Sequence, residues 1–362
     1  MKKTMKKTTN NEIVDILIIH LNGENIIRNC LNSIYKNTSK KINFNIRLLL
    51  NNSKDNSEEI IGRKFPKVEI IKTKKTIGFA QASNILAMKS SGKYILFLNN
   101  DTEVEKNWLD ELLTLIRKHD NCIAVQPKIK SLYDKSKFEY AGAAGGFIDK
   151  YGYPFCRGRI FGETEIDAGQ YDNEVRIFWG CGVCLLVKRD DFIKLGMFDE
   201  DFFMYGEETD FCWRANIYGK EIWYCPKSTI YHIGSYSIDK EKKNGINIKK
   251  EYLLSRNHII ILLKNYSLKN LFKIMPIKLA LEVISAIRFF PYKTLGVLLS
   301  IISLIFEYPL IFRKKRMIIQ NNRKIKDNKI ENLIYDKSIA LEYFINGKNK
   351  FSKLKFYNVN KI

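Results

Sequence analysis

The stretch Tyr94–Val104, YILFLNNDTEV, decides the fold class. Its first five residues are apolar, the pattern of a strand that is buried on both faces. Two amides and Asp101 follow at the carboxyl end of this strand, where ligands bind in open α/β sheets. A carboxylate with an amide oxygen two residues earlier suits a hard divalent cation. The alternative is a turn in which Asp101 or Thr102 caps a helix over Trp108–Lys118.

Strand-like segments around this stretch alternate with helical patterns, which predicts a parallel sheet with helices on its faces. The other N-terminal strands are expected at Ile13–Ile19, Ile46–Leu50 and Val68–Lys72. Each ends in polar or small residues, which predicts a ligand-binding crevice along one edge of the sheet. The loops lack both the Walker pattern and G-x-G-x-x-G, so the sequence excludes a P-loop protein and a standard dinucleotide-binding protein.

The middle of the chain has weaker patterns. Lys128–Tyr171 is rich in Gly, Tyr and charge, which indicates loops or short antiparallel strands that line a substrate site. Phe178–Val187 is strand-like. Ile222–Cys225 and Thr229–Tyr231 are expected as two strands on either side of Pro226.

An acidic and aromatic segment, Gly196–Ala215, becomes helical from Glu207. Its spacing predicts an inward face of Phe211, Cys212 and Ala215, with Arg214 outward. Acids in a first helical turn are favoured by the helix dipole, which is a purely structural explanation for Glu207 and Glu208. That explanation does not account for the aromatic residues that lead into these acids. Aromatic walls around carboxylates are typical of a sugar or base pocket with a general base.

Seven cysteines are spread over the 362 residues, and no secretory signal is recognisable before the first strand. We therefore expect reduced thiols in a cytoplasmic compartment. Cys181 and Cys184 have the spacing of a redox pair or of half a zinc site, but no second such pair exists in the sequence. We expect both to be structural.

The charge is concentrated at the C-terminus. Residues 240–362 contain 26 Lys/Arg against 8 Asp/Glu, a net +18 of the chain's +22. A basic module attached to a nearly neutral one indicates a polyanionic partner, either a membrane or a nucleic acid. No helix-turn-helix, zinc-finger or aromatic RNA-binding signature is present, so no nucleic-acid partner is expected.

Three apolar segments lie within this basic module, which favours an anionic membrane surface. They are Ile259–Leu263, Leu271–Phe290 and Leu295–Phe312. The longest uncharged apolar run, Leu295–Phe306, has 12 residues. This is short of the roughly 20 that span a bilayer, and it suits an interfacial or re-entrant segment. A tilted span and an ordinary helical subdomain with a solvated basic face are the alternatives.

Four groups of residues occur in a combination that is specific to one known family. They are Leu98-Asn99-Asn100-Asp101, Gly78-Phe79-Ala80 with Asn84, the segment Gly196–Asp210, and His232 with Gly234. The chain resembles the family 2 glycosyltransferases, particularly the rhamnosyltransferase-like enzymes that build bacterial polysaccharides. The resemblance extends from about Asp15 to Ser237, and a weaker resemblance continues to about Lys329.

The resemblance implies an α/β fold of the GT-A type with a mostly parallel central sheet in residues 1–239. Residues 240–362 are then a helical module for membrane association. It implies inverting transfer of a sugar from a nucleotide-diphosphate donor, a dTDP- or UDP-sugar, to a hydroxyl of a lipid-linked saccharide. The expected location is the cytoplasmic face of the plasma membrane, peripheral or monotopic.

The resemblance also assigns residues. Asn99 and Asp101 stand at the family's metal motif and His232 at the position of a further ligand, for Mg²⁺ or Mn²⁺. Glu208 stands at the position of the general base, with Glu207 beside it. The nucleotide-sugar-binding residues implied are Asn22, Asn51, Asp55, Gly78, Asn84, Asn100 and Asp101. The reaction has the same needs: a cation for the leaving diphosphate and a carboxylate for the acceptor hydroxyl.

Two positions depart from the family pattern. Asn99 replaces the first Asp of the metal motif, and a neutral oxygen binds a cation less strongly than a carboxylate. Leu50 stands where the family has an Asp that reads the pyrimidine base, so Asn51 is the expected replacement. These departures keep open a second hypothesis, a catalytically idle sugar-nucleotide-binding or scaffold subunit of a polysaccharide assembly complex.

Overall fold

The structure is a computed structural model that describes residues 12–234 and 248–356. The expected domain boundary at residues 239 and 240 lies outside these ranges. The main sheet has nine strands. They are β1 Ile13–His20, β2 Asn43–Asn51, β3 Glu69–Thr73, β4 Tyr94–Asn99, β5 Thr102–Val104, β6 Cys122–Ser131, β11 Val175–Ile177, β12 Cys184–Lys188 and β13 Glu221–His232.

The strand order is β11-β13-β6-β12-β4-β1-β2-β3, with β5 paired to β13. The four N-terminal strands are parallel, as expected, and Ile16 of β1 pairs with Ile46 of β2 and Leu96 of β4. Strand β12 is antiparallel to both β4 and β6, and β13 has antiparallel neighbours in β11 and β5. The sheet is therefore mixed, which corrects the expected mostly parallel sheet. A strand buried on both faces has the same apolar pattern in either direction, so the sequence did not reveal the reversal.

Six helices cover this sheet: α1 Glu24–Asn37, α2 Ser57–Lys64, α3 Phe79–Lys89, α4 Trp108–Lys118, α5 Arg189–Lys194 and α6 Glu207–Ile217. The expected bounds of α4 are confirmed. Its N-cap residue is Asn107, with φ of 63° and no side-chain cap hydrogen bond. The capping role considered for Asp101 and Thr102 is therefore wrong, which leaves the Asp101 carboxylate available to the site.

Helix α6 has no outward face, so the expected orientation of Arg214 is wrong. The Arg214 side chain is buried, and its Nε donates to Asp210 Oδ2 at 2.9 Å. Its Nη2 donates to the carbonyl oxygen of Met197 at 2.6 Å. A buried guanidinium is tolerated here because a carboxylate and carbonyl oxygens satisfy it.

A second, five-stranded sheet is formed by β7 Gly146–Asp149, β8 Pro154–Cys156, β9 Arg159–Ile160, β10 Glu163–Thr164 and β14 Ile334–Tyr335. This confirms the short antiparallel strands expected within Lys128–Tyr171. Two other expectations need correction. Within Phe178–Val187 only the part from Cys184 is strand, and the two strands expected around Pro226 are one strand, β13, with an irregularity between Cys225 and Thr229.

The C-terminal helices are α7 Ile248–Asn265, α8 Leu268–Arg288, α9 Tyr292–Glu307, α10 Arg313–Asn321, α11 Asp327–Ile330 and α12 Ile339–Phe344. Short 3₁₀ helices lie at Glu200–Phe202, Glu331–Leu333 and Phe351–Lys353. A π-helical turn, Tyr308–Phe312, joins α9 to α10. The resulting helix, Tyr292–Asn321, is long and apolar enough by composition to cross a bilayer, with a mean hydropathy of 2.1 in its most apolar window. A single such helix is weak support for a span.

The described residues include all seven cysteines, and every one is a buried free thiol. Cys181 and Cys184 lie in one tight turn, in which the Cys184 N–H donates to the Cys181 carbonyl at 3.2 Å. Burial raises the pKa of both thiols well above its usual value. Both thiols are therefore protonated and poorly reactive, which fits the structural role expected from the sequence.

Candidate active site

Three side chains from two distant parts of the sequence meet at one edge of the main sheet. Asn99 ends β4, Asp101 follows it, and His232 ends β13, whose pairing with β5 places His232 beside Thr102. His232 Nε2 lies 3.1 Å from Asp101 Oδ1 and 3.3 Å from Asn99 Nδ2. The structure therefore brings together the three residues that the sequence predicted as a metal site.

The spacing of these atoms fits a divalent cation. Two ligands on neighbouring corners of an octahedron lie roughly 3 Å apart when each is about 2.1 Å from the ion. Asp101 Oδ1 is buried, and no donor in the described part of the chain makes a hydrogen bond of acceptable geometry to it. A 180° rotation of the Asn99 amide exchanges its nitrogen and its oxygen, and either orientation can be assigned. In the rotated amide the oxygen faces the same point as Asp101 Oδ1 and His232 Nε2. Among the described residues no three His, Cys, Asp or Glu side chains converge on one point, so an ion here would take further ligands from phosphate and water.

Glu139 is a site residue that the sequence did not reveal. Its Oε2 lies 3.3 Å from His232 Nδ1, where a carboxylate can orient the imidazole. Burial lowers the pKa of His232, but Asp101 and Glu139 outweigh it and raise that pKa to about 10. Gly234 has φ of 75°, and a Cβ there would lie 2.6 Å from Glu139 Oε1, so glycine is favoured two residues after His232. Glu139 lies in a segment of weak periodicity, which offered no local signal for its role.

The two candidate acids lie at the start of α6. Glu208 is partly exposed, and its Oε1 accepts a 2.9 Å hydrogen bond from the backbone N–H of Gly182. The next residue, Val183, accepts a 3.0 Å hydrogen bond from the backbone N–H of Asn99. Residues 182 and 183 thus connect the Glu208 carboxylate directly to the end of β4. A Cβ on Gly182 would lie 2.7 Å from Glu208 Oε1, so only glycine permits this approach.

Burial raises the pKa of both acids. The effect is larger for Glu207, whose pKa is raised well above its usual value by burial and then by the charge of Glu208. The Oε2 of Glu207 is buried, and no described group forms a hydrogen bond with it. Burial and the neighbouring charge therefore disfavour ionisation of Glu207 more than that of Glu208, which makes Glu208 the better candidate for a base.

Asn22 and Asp55 lie where the loops after β1 and β2 meet. Asp55 Oδ2 accepts from the Gly23 N–H at 2.6 Å, and Asn22 Oδ1 accepts from the Lys54 N–H at 2.9 Å. Hydrogen bonds from Ser57 and Gly23 outweigh burial and lower the pKa of Asp55. A polar cavity of about 450 Å³, within the range of small-ligand sites, lies here. Its lining residues are Asn22, Gly23, Glu24, Asn25, Ile26, Lys54 and Asp55.

Asn100 is fixed by a buried histidine. Its Nδ2 donates to His20 Nδ1 at 2.7 Å, and His20 Nε2 lies 2.8 Å from Ser57 Oγ. Burial lowers the pKa of His20 to about 4, so the imidazole is neutral and can accept from Asn100. The Asn100 amide therefore connects the end of β4 to His20 of β1 and, through His20, to the start of α2.

Three other predicted donor-binding positions have structural contacts. The Asn51 amide is bonded to the backbone of Ile77, donating at 3.0 Å and accepting at 2.9 Å, so it fixes a loop. Asn84, within α3, is buried and bonded to the backbone of Phe198 and to Glu200. A Cβ on Gly78, the N-cap of α3, would lie 2.5 Å from the carbonyl oxygen of Phe203. All three positions therefore support neighbouring segments.

Residues 15–192, about half of the chain, match the family described as Glycosyl transferase family 2. Glu208 and His232 lie beyond the matched residues. The O-antigen biosynthesis protein RfbC of Myxococcus xanthus is 32% identical over 162 residues, which cover 43% of this chain and 12% of that protein. Rhamnosyltransferase WbbL of Escherichia coli K12 is 27% identical over 170 residues, 43% of this chain and 60% of that protein. The chain thus spans less than two thirds of either relative.

An N-acetylglucosaminyl-diphospho-decaprenol L-rhamnosyltransferase of Mycobacterium tuberculosis is 24% identical over 209 residues, 53% of this chain and 67% of that protein. A crystal structure of GalNAc-T7 with UDP, GalNAc and Mn²⁺ superposes with a TM-score of 0.63 and 17% identity, covering 92% of this chain and 58% of that chain. A likeness at this identity shows the fold, which is an α/β fold of the GT-A type.

Proposed function

We propose that this chain, which carries a Glycosyl transferase family 2 domain in residues 15–192, is an inverting glycosyltransferase of polysaccharide biosynthesis in the rhamnosyltransferase-like branch. The donor is a dTDP- or UDP-sugar, and the acceptor is a hydroxyl of a lipid-linked saccharide, the class of acceptor named in the mycobacterial relative. The observation that carries the proposal is the connection of Glu208 to Asn99 through residues 182 and 183. It joins a base to a cation-binding edge of the sheet.

Each group has a chemical task in this proposal. Glu208 accepts the proton of the acceptor hydroxyl as that oxygen attacks the sugar on the face opposite the leaving group. Asp101, Asn99 and His232 would hold Mg²⁺ or Mn²⁺, and the bound ion would stabilise the negative charge of the leaving diphosphate. The cavity at Asn22 and Asp55 receives part of the nucleotide. Inversion requires one base and no second nucleophilic carboxylate.

Nucleotide binding is the first measurement that tests this proposal. We expect one of UDP, dTDP, GDP and CDP to raise the melting temperature in the presence of Mn²⁺, because a ligand that binds the folded state stabilises it by about 2.7 kcal/mol at 100 times its Kd. Each nucleotide is measured with Mn²⁺ and with EDTA by differential scanning fluorimetry. The nucleotide that gives the largest metal-dependent shift identifies the donor class, which Leu50 leaves open.

The control for this measurement is a family 2 enzyme of known donor under the same conditions. No shift with any of the four nucleotides, while the control responds, would favour the alternative of a catalytically idle scaffold subunit. A shift that EDTA leaves unchanged would support nucleotide binding and remove the metal from the proposal.

Membrane association rests on the orientation of helix α8. Its two buried charges, Lys278 and Glu282, are 0% and 3% exposed and form an ion pair at 2.8 Å. Its apolar residues Phe272 and Ile287 are 81% and 73% exposed. The other three charged residues of α8, Lys269, Lys273 and Arg288, are exposed, as are these apolar side chains. An exposed apolar face that also carries basic residues is typical of a helix on a membrane surface. We propose that this face, continued by exposed apolar residues of α9, lies on an anionic cytoplasmic membrane surface, with Arg313 and Lys314 beside it.

Vesicle binding tests this surface. Replacing Ile284 and Ile287 with Asp is expected to lower partitioning onto phosphatidylglycerol-containing vesicles at least tenfold, because each buried isoleucine contributes about 1.5–3 kcal/mol and each added carboxylate is repelled. Flotation at low and at physiological salt measures it. The matched control is Ile166→Asp, at a position that is 61% exposed in the second-sheet region. If the variant with Asp at positions 284 and 287 binds vesicles as well as the Ile166→Asp control does, the membrane proposal is refuted.

A further inference from the structure

The segment that leads into α6 has an unusual backbone. We define residues 199–206 as the acidic loop, since it contains Asp199, Glu200 and Asp201. Phe203 has φ of 59° and Tyr205 has φ of 72°, and the loop ends at Gly206 with φ of 94°. Positive φ at bulky residues is strained and persists only where the surroundings enforce it. The loop therefore depends on the contacts that hold it.

Helix α7 supplies contacts to almost every residue of this loop. Asn257 Nδ2 lies within hydrogen-bond distance of three loop carbonyls, those of Phe202, Met204 and Tyr205, at 3.1, 2.9 and 2.8 Å. Its neighbour Arg256 donates through Nη1 to the carbonyl oxygen of Asp201 at 3.0 Å. The same Nη1 donates to Asn257 Oδ1 at 2.9 Å and fixes the amide orientation.

The opposite side of the loop rests on the family 2 domain. The backbone N–H of Phe79, at the start of α3, donates to the carbonyl oxygen of Phe203 at 2.8 Å. The missing side chain of Gly78 permits this approach. The acidic loop is therefore held between α3 and α7. Removing the contacts on one side leaves Phe203 and Tyr205 without the contacts that maintain their positive φ.

The charges of the loop are also neutralised from the C-terminal helices. Lys264 of α7 lies 2.6 Å from Asp199 and 3.0 Å from Asp210 of α6, and Lys315 of α10 pairs with Asp199 and Asp201. Burial raises the pKa of Asp199, but Lys264 and Lys315 outweigh it and hold that pKa below its usual value. These ion pairs bind the start of the loop and α6 to the same helices.

We propose that Arg256 and Asn257 are positioning residues that hold the acidic loop so that Glu208 remains on the Gly182 N–H. The inference rests on the proposed function of Glu208, and it assigns to residues outside the matched family region a role in the reaction. Arg256 is in turn held by α9, since its Nε donates to Glu307 at 2.9 Å and to Ser303 at 3.2 Å. The position of the loop is thereby coupled to the helix with the exposed apolar face.

The test compares Asn257→Leu and Asn257→Asp with Gln320→Leu. Leu and Asp have similar size to Asn but cannot donate to the loop carbonyls. Gln320 is a matched control, because its Nε2 donates to the carbonyl oxygens of Lys264 and Asn265 of α7 and not to the loop. Three quantities are measured: hydrogen exchange of residues 199–206, kcat and donor KM for release of nucleoside diphosphate, and the melting temperature.

Both Asn257 variants are expected to show faster exchange in residues 199–206 and a kcat lowered by about 10–100-fold, since a displacement of about 1 Å costs on that order. The donor KM should stay within about twofold, because the variants leave the cation-binding residues in place. The control should lower the melting temperature without changing kcat or loop exchange.

Unchanged loop exchange in both Asn257 variants would overturn the inference whatever their activity. An unchanged kcat in variants whose loop exchanges faster would also overturn the inference, because the contact would then have only a structural role. Failure of the proposed function has a different signature: the wild-type chain would then release no nucleoside diphosphate from any donor, while the exchange difference would persist.

Discussion

Glu208→Gln is expected to lower sugar transfer by about 10²–10⁴-fold, the usual contribution of a general base. Gln keeps the oxygen that accepts from the Gly182 N–H, so the geometry of the site should survive. It cannot accept the proton of the acceptor hydroxyl. Nucleotide binding should be nearly unchanged, because the proposed donor contacts lie at the ends of β1, β2 and β4.

The pH dependence provides a second readout of the same residue. Glu208 acts as a base only when ionised, and burial raises its pKa above the usual value for a glutamate. The kcat/KM of the wild type should therefore be full above that raised pKa and fall as the pH decreases through it. The Gln variant should lose this acidic limb from its residual activity.

The measurement is steady-state transfer with the donor selected by the nucleotide screen, together with the nucleotide-induced melting shift of each variant. The matched control is Glu163→Gln, which neutralises an exposed glutamate on β10 of the second sheet. Turnover of Glu208→Gln at the wild-type rate would remove Glu208 from the mechanism. Loss of the nucleotide-induced shift would indicate instead that the substitution disturbs donor binding.

Asp101→Asn is expected to abolish the Mn²⁺-dependent part of the nucleotide melting shift and to lower transfer at least 100-fold. The substitution preserves the shape of the side chain and removes the one carboxylate that directly faces His232 Nε2. A bound cation contributes several kcal/mol to the stabilisation of a leaving diphosphate, and each 1.36 kcal/mol is a factor of ten in rate.

Metal binding itself is measured by titrating Mn²⁺ into the protein and following the EPR signal of the free ion, which does not depend on turnover. Asp134→Asn, at an exposed loop position, is the control for the loss of one negative charge. An Asp101→Asn variant that binds Mn²⁺ as the wild type does would refute the assignment of Asp101 as a ligand, even if its activity were low.

Much of the site could be predicted from the residue pattern alone. The apolar run before Asn99 is diagnostic of a buried strand, and a carboxylate just after such a strand lies at the ligand-binding edge of an α/β sheet. Asp101 was therefore identified from the pattern, and the family resemblance added His232 before the proximity of the two was known. The family resemblance added Glu208, which the structure places one hydrogen bond from residues 182 and 183.

The wrong prediction for Arg214 and the structural contacts of Asn51 and Asn84 involve groups whose partners are distant in the sequence. Arg214 was expected outside because helical spacing shows which residues share a face, but not whether a second layer covers the other face. Asn51 and Asn84 were expected to bind the donor, yet their amides are bonded to backbone 26 and 114 positions away. Local sequence does not distinguish an amide that binds a ligand from one that satisfies a neighbouring loop.

The sequence by itself predicted the alternating strands and helices of the N-terminal part, the position of Asp101 at the end of a buried strand, and the division into a nearly neutral part and a basic, apolar part. These follow from local periodicity and composition, which depend on near neighbours in the chain. Only the tertiary structure decided that Glu139 supports His232, that two charges of α8 face inward, and that Arg256 and Asn257 hold the acidic loop. Each of these joins residues from separate segments, and such contacts are set by how the layers pack.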